Sequence, residues 1–213
     1  MKKTLYTVCV DNYFPELMTY TFPNLKQYAK KIGADFHVIT ERKFPEFPPP
    51  YEKVQIYELG KENDWNILVD ADLLLHPDFE DITLMDPRYI HFHAGYEALD
   101  IFTPDHYFLR DGRNRGITTN LMFVSRLCHD IWTPLEFGWD IAKTKTGRLH
   151  IIDEYCISRN MAKFGIGYDG VCFSKESQYL IEHFGMMDRS EETIKELLKQ
   201  AEITASKWNS VLY

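Results

Sequence analysis

The segment Asn66-Ile67-Leu68-Val69-Asp70-Ala71-Asp72-Leu73-Leu74-Leu75 constrains this chain more than any other. Ile67, Leu68 and Val69 leave no position for a solvated face before Asp70, so residues 66–70 read as a buried strand. Two carboxylates then leave that strand, and an apolar run resumes at once. A carboxylate pair in such surroundings is costly unless something neutralises it. A divalent cation does so: Asp oxygens suit Mg²⁺ or Mn²⁺, which keep coordination positions open for phosphate oxygens. The alternative is a surface turn with two solvated acids, and the apolar flanks count against it.

The rest of the chain supplies a sheet for that strand. Residues 4–10 (TLYTVCV) read as a first strand ended by Asp11-Asn12. Pro15 and Glu16 suit a first helical turn, residues 17–33 carry helical spacing with Pro23 as a break or restart, and Gly33 is a stop. Residues 34–40 return to strand, so the first forty residues read β–α–β, with parallel strands and a right-handed crossover. Residues 44–50 (FPEFPPP) form a stiff surface connection, and 51–63 return to helical spacing. Strands are expected at 88–94 and 118–124, a long irregular stretch at 95–117, and helices at 153–165 and 190–208. The reading is α/β: a Rossmann-like mixed sheet flanked by helices in a single domain. Residues 1–94, which carry the acid pair, form one half of it, and residues 95–213 a second half that ends in a helix. In such sheets the ligand lies beyond the carboxyl ends of the strands.

Composition narrows the partners. A net charge of −8 lacks the basic footprint that nucleic acid requires, so no nucleic-acid partner is expected. A small phosphorylated ligand remains accessible through a bridging cation. Cys9, Cys128, Cys156 and Cys172 show no metal-ligand spacing and read as free thiols of a reducing compartment. Asp11 cuts the first apolar run too short for a signal peptide, and no stretch approaches the ~20 apolar residues of a membrane span. A cytoplasmic protein without membrane insertion, or a catalytic domain of a longer chain, is expected.

Three further segments could carry chemistry. Asp11-Asn12-Tyr13 could read and stack a base, or could simply form a turn. His183, before Phe184-Gly185, is either structural or the imidazole that completes a site begun by two carboxylates. Asp153 and Glu154 open a helix; they either offset its dipole or place a carboxylate in the cleft, to hold a sugar or to take a proton from an acceptor hydroxyl.

In their order, these pieces resemble GT-A glycosyltransferases of the glycogenin and bacterial galactosyltransferase family. Asp11-Asn12-Tyr13 resembles its nucleotide-reading segment and WNILVDAD its DxD strand. TTNLMFVSR resembles the strand that carries an Asn toward the donor sugar, here Asn120. IIDEYCIS resembles its "DQD" helix start with Glu154 in place of Gln, and IEHFG its "HFxG", whose His ligates Mn²⁺. As a whole the chain also resembles the amino-terminal glycosyltransferase domain of a chlorella-virus protein that decorates capsid glycans, which implies a viral protein working in host cytoplasm. The resemblance implies a metal site at Asp70, Asp72 and His183, and nucleotide contacts from Val10, Asp11, Asn12, Tyr13, Asp70 and Ala71. It also implies donor-sugar contacts from Asn120 and Asp153, with Arg113 expected beside them, so that residues 1–94 are the nucleotide- and metal-binding half and residues 95–213 the half for donor sugar and acceptor. The expected reaction moves a hexosyl or deoxyhexosyl group from a nucleoside-diphosphate sugar, with uracil as the implied base, to a hydroxyl of a glycan or glycoprotein acceptor, with Mn²⁺ or Mg²⁺.

Three departures stand out. Leu121-Met122 replace the small pair usual after Asn120. Glu154 adds a second candidate catalytic base beside Asp153, so inversion and retention both remain open. Met186, Met187 and Asp188 replace the usual Lys and Trp, which shifts neutralisation of the phosphates to Lys53 or Arg113, or to the metal. Two alternatives use the same residues. A haloacid-dehalogenase-like phosphatase also carries DxD after a strand, but near the first strand. A non-catalytic module that binds nucleotide-sugars would keep the site without turnover.

Overall fold

The computed structural model describes residues 1–92, 117–146, 149–169, 181–184 and 190–209. Its centre is a six-stranded sheet of order β2-β1-β3-β6-β5-β7, with β1 Lys3–Val8, β2 Asp35–Ile39, β3 Trp65–Val69, β5 Tyr89–Phe92, β6 Leu121–Ser125 and β7 Gly167–Asp169. β1 runs parallel to β2 and β3, whereas β6 is antiparallel to both β3 and β5. A separate antiparallel pair joins β4 Leu73–Leu75 to β8 Ile181–His183.

The apolar run of β3 is covered on both faces, as its sequence demands. Ile67 and Val69 pack with Leu5, Phe123 and the face of α1 (Pro15–Lys31) formed by Leu25, Tyr28 and Ala29. Leu68 points the other way, into a cluster with Tyr6, Met122, Trp132 and Ile157. Ile157 belongs to α4 (Ile152–Phe164), which buries most of its surface. Two single-turn helices, α2 Ile56–Leu59 and α3 Trp139–Ala142, precede α4; the last helix, α5, spans Glu191–Asn209. Among the described residues no helix is long and apolar enough to cross a membrane.

The expected strands and helices are present with shifted ends, apart from two differences. Pro23 lies inside α1 without breaking it. Proline frees the carbonyl four residues back, and both Pro23 and Thr19 are exposed, so water can satisfy the freed Thr19 group. Gly33 ends the helix as expected: at φ 68° it lets Ala34 N–H reach Ala29 O at 2.8 Å and its own N–H reach Lys30 O at 3.2 Å. The helix expected over 51–63 is instead a 3₁₀ segment, Pro49–Gln55, followed by the one turn of α2. Gly60, a poor helix former, follows α2, and its N–H closes that single turn on Ile56 O at 2.8 Å. The 44–50 connection is not purely superficial either, since Phe47 is buried and stacks on Tyr51 at a centroid distance of 4.0 Å. Most of the 95–117 stretch lies outside the described residues, as does Cys172. Cys9, Cys128 and Cys156 are free thiols.

Candidate metal centre

Two strand pairings build the centre. Asp70 continues the last rung of β3: its N–H donates to Asn120 O at 2.8 Å, across from the start of β6. A turn closed by Leu73 N–H on Asp70 O then leads into β4. Ala71, inside that turn, is buried among Leu17 of α1, Leu74, Phe184 and Ala201 of α5. Packing from two helices thus holds the two aspartates on either side of a fixed alanine. The β4–β8 register places Leu73 opposite His183, and Phe184 N–H donates to Asp72 O at 2.8 Å.

This brings a residue more than a hundred positions away to the acid pair. His183 Nε2 lies 3.3 Å from Asp72 Oδ1 and 4.0 Å from Asp70 Oδ2. One ligand atom from each of the three residues falls within 4.8 Å of the others. Two carboxylate oxygens and an imidazole nitrogen form a donor set that fits Mn²⁺ or Mg²⁺. Tyr13 hydroxyl donates to Asp72 Oδ2 at 2.8 Å, so the segment after β1 touches the centre directly.

The electrostatics of the cluster point the same way. Burial pushes the Asp70 carboxyl above its ordinary range, and the neighbouring Asp72 adds to this; Lys53 and His183 do not fully offset it. At Asp72 burial acts in the same direction, but hydrogen bonds from His183 and Tyr13 outweigh it and hold the carboxyl low. Burial opposes charging of His183, yet Asp72 and Asp70 raise its imidazole above the usual value. A cation held here would neutralise the two carboxylates and would compete with a proton for the His183 imidazole.

Behind the aspartates lies a buried lysine. Lys53, 8% exposed, is carried by the 3₁₀ segment and places Nζ 2.8 Å from Asp70 Oδ1 and 2.8 Å from Asp153 Oδ2. It also donates to Thr119 Oγ1 at 3.0 Å, while Thr119 Oγ1 donates to Asp153 Oδ2 at 2.5 Å. Burial alone would favour the neutral amine, but Asp153 and Asp70 hold the ammonium well above its ordinary range. Asp153 reaches this position from the first turn of α4, beside Glu154.

The segment after β1 has unusual backbone. Asp11, Asn12 and Phe14 all adopt positive φ, at 55°, 55° and 37°. Asp and Asn adopt this region more readily than other side chains, whereas for Phe14 it is a strained conformation that the surroundings must hold. Val10 is buried and accepts from Tyr13 N–H at 3.1 Å, while Asp11 and Asn12 are exposed. Arg42 Nη1 donates to the Asp11 carboxylate at 2.5 Å. Among the expected site residues, the structure brings Tyr13, Lys53, Asp70, Asp72, Asp153 and His183 into one connected cluster, with Asn120 joined to it through the backbone of Asp70. Arg113 and Gly185 to Asp188 lie outside the described residues. Thr119 and Arg42 were not expected. Thr119 is a buried polar residue just before an apolar strand, which is a usable signal; Arg42 gives none.

No protein-family model matches this sequence, and no curated protein is similar to it. The fold, however, is the GT-A fold of nucleotide-sugar glycosyltransferases. A glycosyltransferase involved in glycosylation of the major capsid of PBCV-1 superposes with a TM-score of 0.60 at 15% identity, over 95% of this chain and 100% of that one. The galactosyltransferase LgtC, solved with donor and acceptor sugar analogs, gives 0.55 at 12% identity, over 96% of each chain. Drosophila β1,4-galactosyltransferase 7, solved with manganese, UDP-Gal and xylobiose, gives 0.50 at 14% identity, over 92% of this chain and 79% of that one.

Proposed function

We propose that this chain transfers a hexosyl or deoxyhexosyl group from a UDP-sugar to a hydroxyl of a glycan or glycoprotein, with a divalent cation held by Asp70, Asp72 and His183. The observation that carries the reading is the convergence of these three side chains at the carboxyl end of β3, on a GT-A fold. A phosphatase of the haloacid-dehalogenase type expects its aspartates after the first strand; here they follow β3.

A cation at this centre would supply charge neutralisation to the leaving diphosphate. The chain's own residues do the rest. Val10, Asn12 and Tyr13 hold the nucleoside, with Asp11 beside them. Asn120 and Asp153 orient the donor sugar, and Arg113 is assigned to the same task. Asp153 Oδ2 already accepts from Lys53 and Thr119, which suits an anchor better than a proton acceptor. Glu154 then remains as the carboxylate for an inverting reaction, whereas a retaining one needs no positioned base. The commitment of Asp153 favours retention.

Incubating UDP-sugars with an acceptor panel tests this. Turnover is expected with Mn²⁺, is lost on chelation and returns when the metal is restored. Nucleotide-sugar binding without turnover across the panel would reassign the protein as a binding module.

A further inference from the structure

The donor site described above leaves the exposed Asp11-Asn12 turn without an account of what holds it. Asp and Asn tolerate the left-handed region better than other side chains, but two such residues in succession still need fixing, and across them Val10 O accepts from Tyr13 N–H at 3.1 Å. The Asp11 side chain is 54% exposed, so burial does not fix it. What reaches it is Arg42, on the loop after β2. One guanidinium joins three segments: Nη1 to Asp11, Nε to Glu52 Oε1 at 2.9 Å, and Nη2 to the carbonyls of Phe44, Pro45 and Phe47.

Glu52 makes this arrangement rigid. It is fully buried and precedes Lys53 on the same 3₁₀ segment. Its carboxylate also accepts from the backbone N–H groups of Lys43 and Phe44, each at 3.0 Å, and from Gln55 Nε2 at 2.7 Å. Such a charge-assisted set fixes the guanidinium plane, because the fork of an arginine is itself rigid. Arg42 therefore connects the turn that leads to Tyr13 with the segment that carries Lys53 into the metal centre. Tyr13 in turn donates to Asp72.

Resting on the reading of the site as one for a nucleoside diphosphate, we propose that Arg42 is a positioning residue for the nucleoside. Through Asp11 it holds the left-handed turn in the conformation that presents Asn12 and Tyr13. Asp11 acts as the handle of the turn rather than as a reader of the base.

The test is a double-mutant cycle on affinity for UDP in saturating Mn²⁺, measured by calorimetry on the full chain. Asp11→Asn keeps the Arg42–Glu52 pair and removes the charge at an exposed position; Arg42→Lys keeps a cation for Glu52 but cannot span the three segments. Each is expected to weaken UDP binding by about tenfold, and the double variant to be no weaker than the worse single, the signature of one shared interaction. Mn²⁺ affinity without nucleotide and the thermal midpoint of Asp11→Asn are expected to stay at wild-type values, which a merely structural role would not require. Additive losses, wild-type UDP affinity in Asp11→Asn, or an equal loss of Mn²⁺ affinity would overturn the proposal. Failure of the wild-type protein to bind UDP or GDP with Mn²⁺ would instead overturn the functional reading on which it rests.

Discussion

Asp72→Ala is expected to remove metal-dependent turnover, lowering nucleotide-sugar consumption at saturating Mn²⁺ by about 10²–10³-fold, the range for loss of a major electrostatic contributor. Asp72 is engaged through both of its oxygens: His183 lies 3.3 Å from one and Tyr13 donates to the other at 2.8 Å. Its loss removes one of three metal ligands and frees the imidazole that Asp72 holds in place. It also removes a like charge beside Asp70, so the metal-free protein is expected to stay folded. Turnover and Mn²⁺ titrations on the purified variant check the first part, and circular dichroism of the metal-free variant checks the second. Full Mn²⁺-dependent turnover in Asp72→Ala would sink the assignment.

Lys53→Met carries the second large effect, and it falls on stability as well as activity. Lys53 and Asp153 are nearly inaccessible, at 8% and 4% side-chain exposure, and Asp70 is only 21% exposed. Methionine preserves most of the volume but leaves these carboxylates without their counter-ion. Breaking a buried pair in this way costs about 3–5 kcal/mol. The loss is expected in chemical denaturation of the metal-free protein. Mn²⁺ is expected to restore only part of it, because the cation compensates Asp70 and not Asp153. A variant as stable as wild type in the absence of metal would show that Lys53 does not serve as the internal counter-ion.

The sequence made one half of this site readable, and physics explains which half. Asp70 and Asp72 announce themselves because acids beside an apolar strand are expensive, and the strand they leave is long enough to show. The β1–α1–β2 unit is legible for a similar reason: an apolar run, a helical face and Gly33 each mark a boundary locally. β4 and β8 are three residues each, too short for alternation to register, yet their pairing is what carries His183 to the aspartates. Lys53 and Asp153 are 100 positions apart, and nothing in either neighbourhood states that the two will meet. Pro23 misleads because its cost depends on whether the freed carbonyl faces water, which is a tertiary fact. Arg42 sits in a loop beside prolines and aromatics; only the fold shows that it reaches Asp11.

The most direct test of the account is the thermal midpoint of the protein with UDP, measured with Mn²⁺ and again with a chelator. If UDP binds through a cation at Asp70, Asp72 and His183, a hundredfold excess over its dissociation constant in Mn²⁺ should raise the midpoint by about 5–10 °C for a domain of this size. The same UDP concentration with chelator should leave it unchanged. An equal shift in both conditions would contradict a metal-bridged diphosphate, and no shift in either would contradict the nucleotide site itself.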